Sequence, residues 1–418
     1  MARRTPNNST AARSDILTRH SAMILHSSGA QTDPSVQSHS EPSFYSEDVD
    51  RYAATDLQPV TLGSLLRICE PPLTRESLLE NSQFLCSERP VRYAKRVKLF
   101  QRLPYIVGLN PHLNEVYQIY YRHFEESRKF PMVESLGDQR KFIQMLARQS
   151  DTLKDVMPKI ARGFYESRRY FSTEDRCQFL DHLVKMRIGL RLLTSQHIAL
   201  YHQYQATVNG TYDEETDTGR YQGIIDNQLK LAHMVRVCAQ GVQAMCDMAY
   251  GEAPNFTIDG QANVTFRYIP SHLEYMLVEL LKNAFRSTLQ NAKDREEIPP
   301  VKITISKGNG RVAIRIRDFG GGIPSEIQDS VFDYSFTTVK HRSVDGDEDQ
   351  GEATTEALHS AQPGQSPIAG LGFGLPMTKL YAEYFGGSLN LISLEGYGCD
   401  VFLELPSIKV SRSPKIQI

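Results

Sequence analysis

The order of three short motifs in the C-terminal half constrains the fold more than any other feature of this chain. The first is Glu279-Leu280-Leu281-Lys282-Asn283-Ala284-Phe285-Arg286, set in an apolar run that includes Leu277. Glu279 and Asn283 stand four apart, so on a helix both project from one face. An Asn oxygen is a hard ligand suited to Mg2+, which keeps several waters and bridges phosphates. A carboxylate one turn away can accept a proton from an attacking hydroxyl or water. The second motif, Asp318-Phe319-Gly320-Gly321-Gly322-Ile323-Pro324, directly follows an alternating, strand-like segment. An Asp at a strand end can accept a hydrogen bond from an adenine amino group, and glycines allow close backbone approach to a ligand. The third, Gly370-Leu371-Gly372-Phe373-Gly374-Leu375-Pro376, precedes a helical run. Spaced glycines before a helix expose N–H groups to phosphates. Singly, each motif has an ordinary alternative: a solvated polar stripe at Glu279, a capped Gly-rich turn at Asp318. G-x-G-x-G alone matches neither the Rossmann spacing nor a Walker loop. The specificity lies in the order.

Around these motifs the chain changes grammar once. From about Tyr52 to Tyr204, apolar residues recur at spacings of three and four over Arg92–Arg102, Asn114–Glu126, Lys141–Ala147, Leu153–Tyr165 and Phe179–Leu200. Breakers at Pro71-Pro72, Pro104, Asn110-Pro111, Pro131 and Gly137-Asp138 separate them. Long amphipathic helices with short connections predict a helical bundle over residues 50–225, ending in a polar link at 205–220. A helix (Leu229–Ala249), strands (Asn255–Ile258, Asn263–Tyr268) and a helix opened by a Ser271/Glu274 capping box after Pro270 come next. Val301–Ser306 and Arg311–Arg317 flank Gly308-Asn309-Gly310 as a hairpin. Leu375–Phe385 reads as a helix, and Ser388–Leu394 with Cys399–Leu405 as a last hairpin. The prediction for residues 229–408 is an α/β sandwich of mostly antiparallel strands, with a mobile lid at 339–369.

Composition excludes several classes. The formal net charge of −2 gives no bias toward nucleic acid or an anionic membrane, and no apolar stretch is long enough to span a bilayer. Six scattered cysteines without a CxxC pair argue against a zinc site or a disulfide framework. Residues 1–31 carry four Arg, no Glu and one Asp, with no apolar core of a secretory signal. An Arg- and Ser-rich, acid-poor leader over residues 1–45 has the composition of a mitochondrial transit peptide; the alternative is a disordered tail.

In combination the three motifs resemble the N-, G1- and G2-boxes of the Bergerat (GHKL) ATP-binding superfamily. Gyrase- and Hsp90-like ATPases share E-x-x-x-N but carry a large C-terminal transducer. Histidine kinases carry a phospho-acceptor His in a short two-helix segment. Here His182, His197 and His202 lack that context and read as ordinary helix residues.

Longer stretches resemble the mitochondrial 2-oxoacid dehydrogenase kinases, which act on the pyruvate or the branched-chain complex. In the N-terminal half these are PVRYAKRVKLFQRLPYIVGLNP (90–111) and FLDHLVKMRIGLRLLTSQHIAL (179–200). In the C-terminal half they are ELLKNAFRST (279–288), RDFGGGIP (317–324), DYSFTT (333–338) and GLGFGLPMTKLYAEYFGGSL (370–389). The resemblance implies an N-terminal four-helix bundle followed by a Bergerat-type α/β domain. It implies ATP and Mg2+ as cofactors, a matrix location, the E1α subunit as substrate, docking through the E2 lipoyl domain, and a homodimer. It maps the nucleotide site onto Glu279–Arg286, Asp318, Gly320, Gly322, Thr337, Thr338 and Gly370–Leu375. Glu279 would polarise a serine, Asn283 would hold Mg2+, and Lys282 and Arg286 would face phosphate or a neighbouring carboxylate. Three departures stand out. Leu153 occupies the position of a family His, Cys399 replaces the Thr of a G-T-D turn, and the chain has no Trp, so the Asp-Trp dimer motif of pyruvate dehydrogenase kinases is absent. With YGEAPNFTIDG (250–260) and DYSFTT (333–338), the last leans the resemblance toward the branched-chain enzyme. Leu153 and Cys399 also raise the alternative of a catalytically weak nucleotide-binding regulator.

Overall fold

The computed structural model describes residues 46–58, 66, 73–210, 220–292, 297–334 and 372–408. The leader, the expected lid, Pro71-Pro72, Thr337, Thr338, Gly370 and Leu371 lie outside these.

The N-terminal half is helical. After α1 (Glu47–Ala54) come α2 (Arg75–Gln101), the short α3 (Tyr105–Gly108), α4 (Pro111–Lys129), α5 (Leu136–Thr152), α6 (Val156–Glu166) and α7 (Thr173–Val208). The bundle is made by α2, α4, the broken pair α5/α6 and α7, around a core that includes Tyr93, Val97, Tyr120, Phe142, Phe164 and Leu183. Three expectations are corrected here. Gly137-Asp138 does not interrupt the chain: Ser135 caps the first turn of α5 in a reciprocal box with Asp138. The helix expected over Leu153–Tyr165 instead starts at Val156, with Leu153 as the C-cap of α5. Pro158 lies in the first turn of α6, where its missing N–H costs nothing. A continuous helix would drive its ring into the carbonyl four residues back. The link expected from residue 205 begins later, because α7 continues to Val208.

The C-terminal half opens with β1 (Tyr221–Gln222) and β2 (Ile225–Lys230), then α8 (Leu231–Tyr250), which Gly251 ends in the left-handed conformation at φ 79. Leu229 and Lys230, expected in that helix, are strand. Next are β3 (Phe256–Gly260), β4 (Thr265–Tyr268), α9 (Pro270–Asn291), β5 (Val301–Gly308) and β6 (Arg311–Arg317). A 3-10 segment (Ser325–Phe332), α10 (Gly374–Tyr384), β7 (Ser388–Leu394) and β8 (Gly398–Pro406) complete it. The Ser271/Glu274 box does not form: α9 starts at Pro270, its N-cap Ile269 makes no side-chain cap bond, and proline's fixed φ suits the first helical position.

Two sheets result, β1-β2-β4 and β3-β5-β6-β8-β7. The larger is antiparallel except for the parallel β3/β5 pair. Asn309 and Gly310 both take positive φ, 51 and 73, in the turn between β5 and β6, as a two-residue hairpin requires. Val301, Ile303, Val312, Ile314, Ile316, Val401, Leu403 and Leu405 are buried on the inner face, under α9 and α10. The intervening residues form the outer face, where Arg315 and Arg317 both pair with Asp400. Among the described residues no helix is long and apolar enough to cross a membrane.

Candidate active site

Helix α9 packs Leu273, Leu277, Leu281 and Phe285 into the core. Its other face, one turn apart in each step, carries Glu279, Asn283, Arg286/Ser287 and Gln290/Asn291 into a cavity of about 580 Å³. Asp318, Gly320 and Gly322 form the wall beyond β6, Gly372 and Gly374 the end toward α10, and Ile323, Ile327, Val331, Leu391 and Val401 an apolar flank.

Glu279 is held on two sides. Its Oε1 lies 2.7 Å from Lys282 Nζ, an ion pair whose lysine is 3% exposed. Gly374, the first residue of α10, packs so closely that a β-carbon there would stand 2.6 Å from Oε2. The glycine turn thus abuts the carboxylate.

Asp318 continues the β6/β8 ladder, its N–H donating to Cys399 O at 3.0 Å. Its Oδ1 accepts from Gly320 N at 2.9 Å and Cys399 N at 3.2 Å. Burial pushes its carboxyl above the ordinary carboxylate value, against the pull of those two N–H groups and the Ser287 hydroxyl. The following loop is fastened to α9 by Thr288 Oγ1, which accepts from Phe319 N (3.1 Å), and by Asn291 Nδ2, which donates to Phe319 O (2.8 Å). Glycine is required at two places. A β-carbon at Gly320 would lie 2.4 Å from Ser287 Cβ, and at Gly322 (φ +77) 2.3 Å from the Leu394 carbonyl.

Of the residues expected at the site, Glu279, Leu280, Lys282, Asn283, Ala284, Arg286, Asp318, Gly320, Gly322, Gly372, Gly374 and Leu375 line the cavity. Leu281, Phe285 and Phe373 do not; Leu281 and Phe285 are core residues, and Phe373 packs on Tyr334. Leu153 is not in the lining either. Its carbonyl accepts from Arg187 Nη2 at 2.8 Å and its side chain packs on the bundle core. Cys399 does line the cavity, and its ladder role is carried by backbone. Burial, then Asp318, push its thiol up to about 11, so it is neutral. Sequence reasoning missed Ser287, Gln290 and Asn291, although they extend the polar stripe of Glu279 and Asn283 at the same spacing. The apolar flank has no comparable signal. His197 is fully buried, with Asn81 Nδ2 2.9 Å from Nδ1 and Ser82 Oγ 3.1 Å from Nε2, the environment of a structural residue.

The lining fits a nucleotide. The glycine walls admit a ligand against backbone, Asp318 offers a buried acceptor beyond β6, and Arg286 Nε is buried on the α9 side without a hydrogen-bond partner. No cluster of three His, Cys, Asp or Glu occurs among the described residues. Asn283 in the lining offers a hard side-chain oxygen that could share Mg2+ with phosphate oxygens.

Comparison with known proteins agrees with this geometry. Residues 59–226 match the family described as mitochondrial branched-chain alpha-ketoacid dehydrogenase kinase. Residues 268–409 match the histidine kinase-, DNA gyrase B- and HSP90-like ATPase family. The mitochondrial pyruvate dehydrogenase (acetyl-transferring) kinase of Arabidopsis thaliana is 31% identical over 372 residues, 88% of this chain and 95% of its own. The isozyme 4 kinase of Mus musculus is 29% identical over 401 residues, 92% of this chain and 89% of its own. The kinase of Schizosaccharomyces pombe is 34% identical over 265 residues, 62% of this chain and 57% of its own. With an ATP-binding domain behind a helical region of this kind, the chain is a protein kinase and belongs to the mitochondrial 2-oxoacid dehydrogenase kinase family.

Proposed function

We propose that the chain transfers a phosphoryl group from MgATP to a serine of the E1α subunit of a 2-oxoacid dehydrogenase complex in the mitochondrial matrix, and so inactivates that complex. The observation that carries this reading is the Glu279–Lys282 pair standing one turn from Asn283 on a single helical face, against the glycine turn at Gly374.

In this reading Asp318 accepts a hydrogen bond from the adenine. The turn at Gly372 and Gly374 faces the phosphates, and Asn283 holds Mg2+. The cation, when bound, neutralises charge on the phosphates. Glu279 accepts the serine proton, while Lys282 fixes the carboxylate and offsets its charge. Arg286 closes the α9 side. Such a site acts by positioning and charge neutralisation more than by covalent chemistry, and no phosphohistidine is needed. The helical half docks on the lipoyl domain of the E2 core, the enzyme works as a homodimer, and residues 1–45 serve as its transit peptide.

Two E1α subunits compete. The curated relatives above are named for pyruvate dehydrogenase, which favours that complex. The description matched by residues 59–226 names the branched-chain complex, which keeps it as the second reading. Single-turnover transfer from labelled ATP to purified E1α of each complex decides between them. Label on the pyruvate E1α is expected. Label on the branched-chain E1α alone would reverse the order, and label on neither would favour a nucleotide-binding regulator.

A further inference from the structure

Helix α7 of the bundle packs on α10 beside the nucleotide cavity, and it also holds a buried tyrosine next to it. Tyr334 is 2% exposed and lies two residues beyond the 3-10 segment Ser325–Phe332. Its phenol donates a 2.9 Å hydrogen bond to Asp181 Oδ1 on α7. Its ring meets Phe373 with centroids 5.2 Å apart. Phe373 is the N-cap residue of α10, and the next residue, Gly374, packs on Glu279. A parallel link joins the same elements: Lys379 Nζ of α10 lies 4.7 Å from the ring centroid of Phe332.

The described residues of the glycine turn, Gly372 to Gly374, show few local determinants. Gly372 takes φ +75, and Phe373 supplies no side-chain cap bond to α10. Tertiary packing therefore helps to set the turn: Phe373 belongs to the core cluster, and its ring contact there is with Tyr334. Burial, then the charge of Asp181, hold the Tyr334 phenol far above its ordinary value, so it remains a donor at every working pH.

We propose that Asp181 and Tyr334 are positioning residues for the phosphate end of the nucleotide site: Asp181 fixes Tyr334, Tyr334 fixes Phe373, and Phe373 fixes the glycine turn. The proposal rests on the nucleotide reading of the cavity but not on the identity of the protein substrate. It ties the bundle to the site, so that a displacement of α7 is felt where phosphates bind. Loosening the turn costs pre-organisation and acts on ligands in proportion to their phosphates, leaving the adenine end at Asp318 alone.

Calorimetric titration of the full chain with adenosine, MgADP and MgATP tests this without any protein substrate. Tyr334→Phe and Asp181→Ala are expected to weaken MgADP and MgATP by about tenfold, the scale of one lost buried hydrogen bond. Adenosine should stay within about twofold of the parent. Asp181→Asn keeps an acceptor for the phenol and should restore binding to within about twofold. Circular dichroism and the thermal midpoint confirm that each variant is folded; Tyr334→Phe removes a single oxygen. Unchanged MgATP affinity in folded Tyr334→Phe and Asp181→Ala would overturn the proposal. So would adenosine weakened as much as MgATP, which would mean general damage to the cavity, or an Asp181→Asn protein as impaired as Asp181→Ala.

Discussion

At the scale of single residues, the chemistry turns on whether Glu279 does more than hold Lys282. Glu279→Gln keeps the shape and one acceptor oxygen but cannot take a proton. It is expected to bind MgATP within about twofold of the parent and to lose about 100- to 10,000-fold in transfer to E1α, the usual weight of a general base. Phosphorylation at the parent rate would remove Glu279 from the reaction. A second prediction separates backbone strain from steric contact. Gly322 and Gly396 share positive φ, +77 and +80, but a β-carbon at Gly396 meets nothing within 4 Å, whereas at Gly322 it meets the Leu394 carbonyl. Gly396→Ala should therefore cost about 1 kcal/mol from conformation alone, and Gly322→Ala about 2–4 kcal/mol with loss of nucleotide binding. Equal midpoints in urea for the two variants would contradict the contact. The residues of the first motif were legible because Glu279 and Asn283 interrupt an apolar helix at a one-turn spacing. The apolar flank at Ile323, Ile327, Leu391 and Val401 was not, because residues that meet only through the sheet leave no mark on local spacing.

At the scale of elements, the five-stranded sheet is amphipathic in an unusual sense. The inner face is core, and the outer face alternates ion pairs with exposed apolar groups. Ile392 and Leu394 of β7 are 57% and 62% exposed, and Ile392 is paired directly with Asp400, which Arg315 and Arg317 hold. Burial would raise the Asp400 carboxyl, but the two guanidiniums overcome it and hold it below the ordinary value. Exposed apolar groups around satisfied charges suit a protein–protein contact, and this face is where the proposed homodimer would meet. Ile392→Lys is expected to raise the dimer dissociation constant at least about tenfold by sedimentation, leaving MgATP affinity unchanged. A dimer of parental strength would place the contact elsewhere. The elements themselves were read well where the signal is local, as in the Asn309-Gly310 hairpin. They were misread where one residue overrides a pattern. Pro158 cuts a helix that the apolar spacing carries straight through, and Pro270 starts one that the Ser271 box would start later. Strand β2 escaped notice because Leu229 and Lys230 continue smoothly into the helical periodicity of α8, and only pairing with β4 makes them strand.

At the scale of the whole molecule, three buried histidines set the response to acid. His123 and His197 belong to the bundle, and His272 to α9, where it packs on Tyr381 and Phe385. Burial first, and then nearby arginines (Arg89 for the first two, Arg191 for the third), lower each to about 3 from the ordinary 6.5. Each is neutral in the folded chain and binds a proton readily once unfolded. Unfolding therefore takes up protons below pH 6.5, so the stability these groups confer is full above that value and falls as pH drops toward 3. Each contributes a slope of about 1.4 kcal/mol per pH unit, and the three together about 4 kcal/mol per unit. Against a total of about 5–15 kcal/mol, this predicts cooperative unfolding of both halves between about pH 4 and 5 at 25 °C. The carboxylates held low by partners, such as Asp400 and Glu125, begin to lose their own contribution as pH falls toward their ordinary values, so they add to the loss from the acid end of this window downward. Denaturant unfolding at pH 7.5 and 5.5 measures the slope. His197→Gln, which keeps a side chain able to meet Asn81 and Ser82, should remove about a third of it. The same stability at both pH values would mean that these histidines gain a proton inside the folded protein. The two halves would then owe their acid response to surface carboxylates alone.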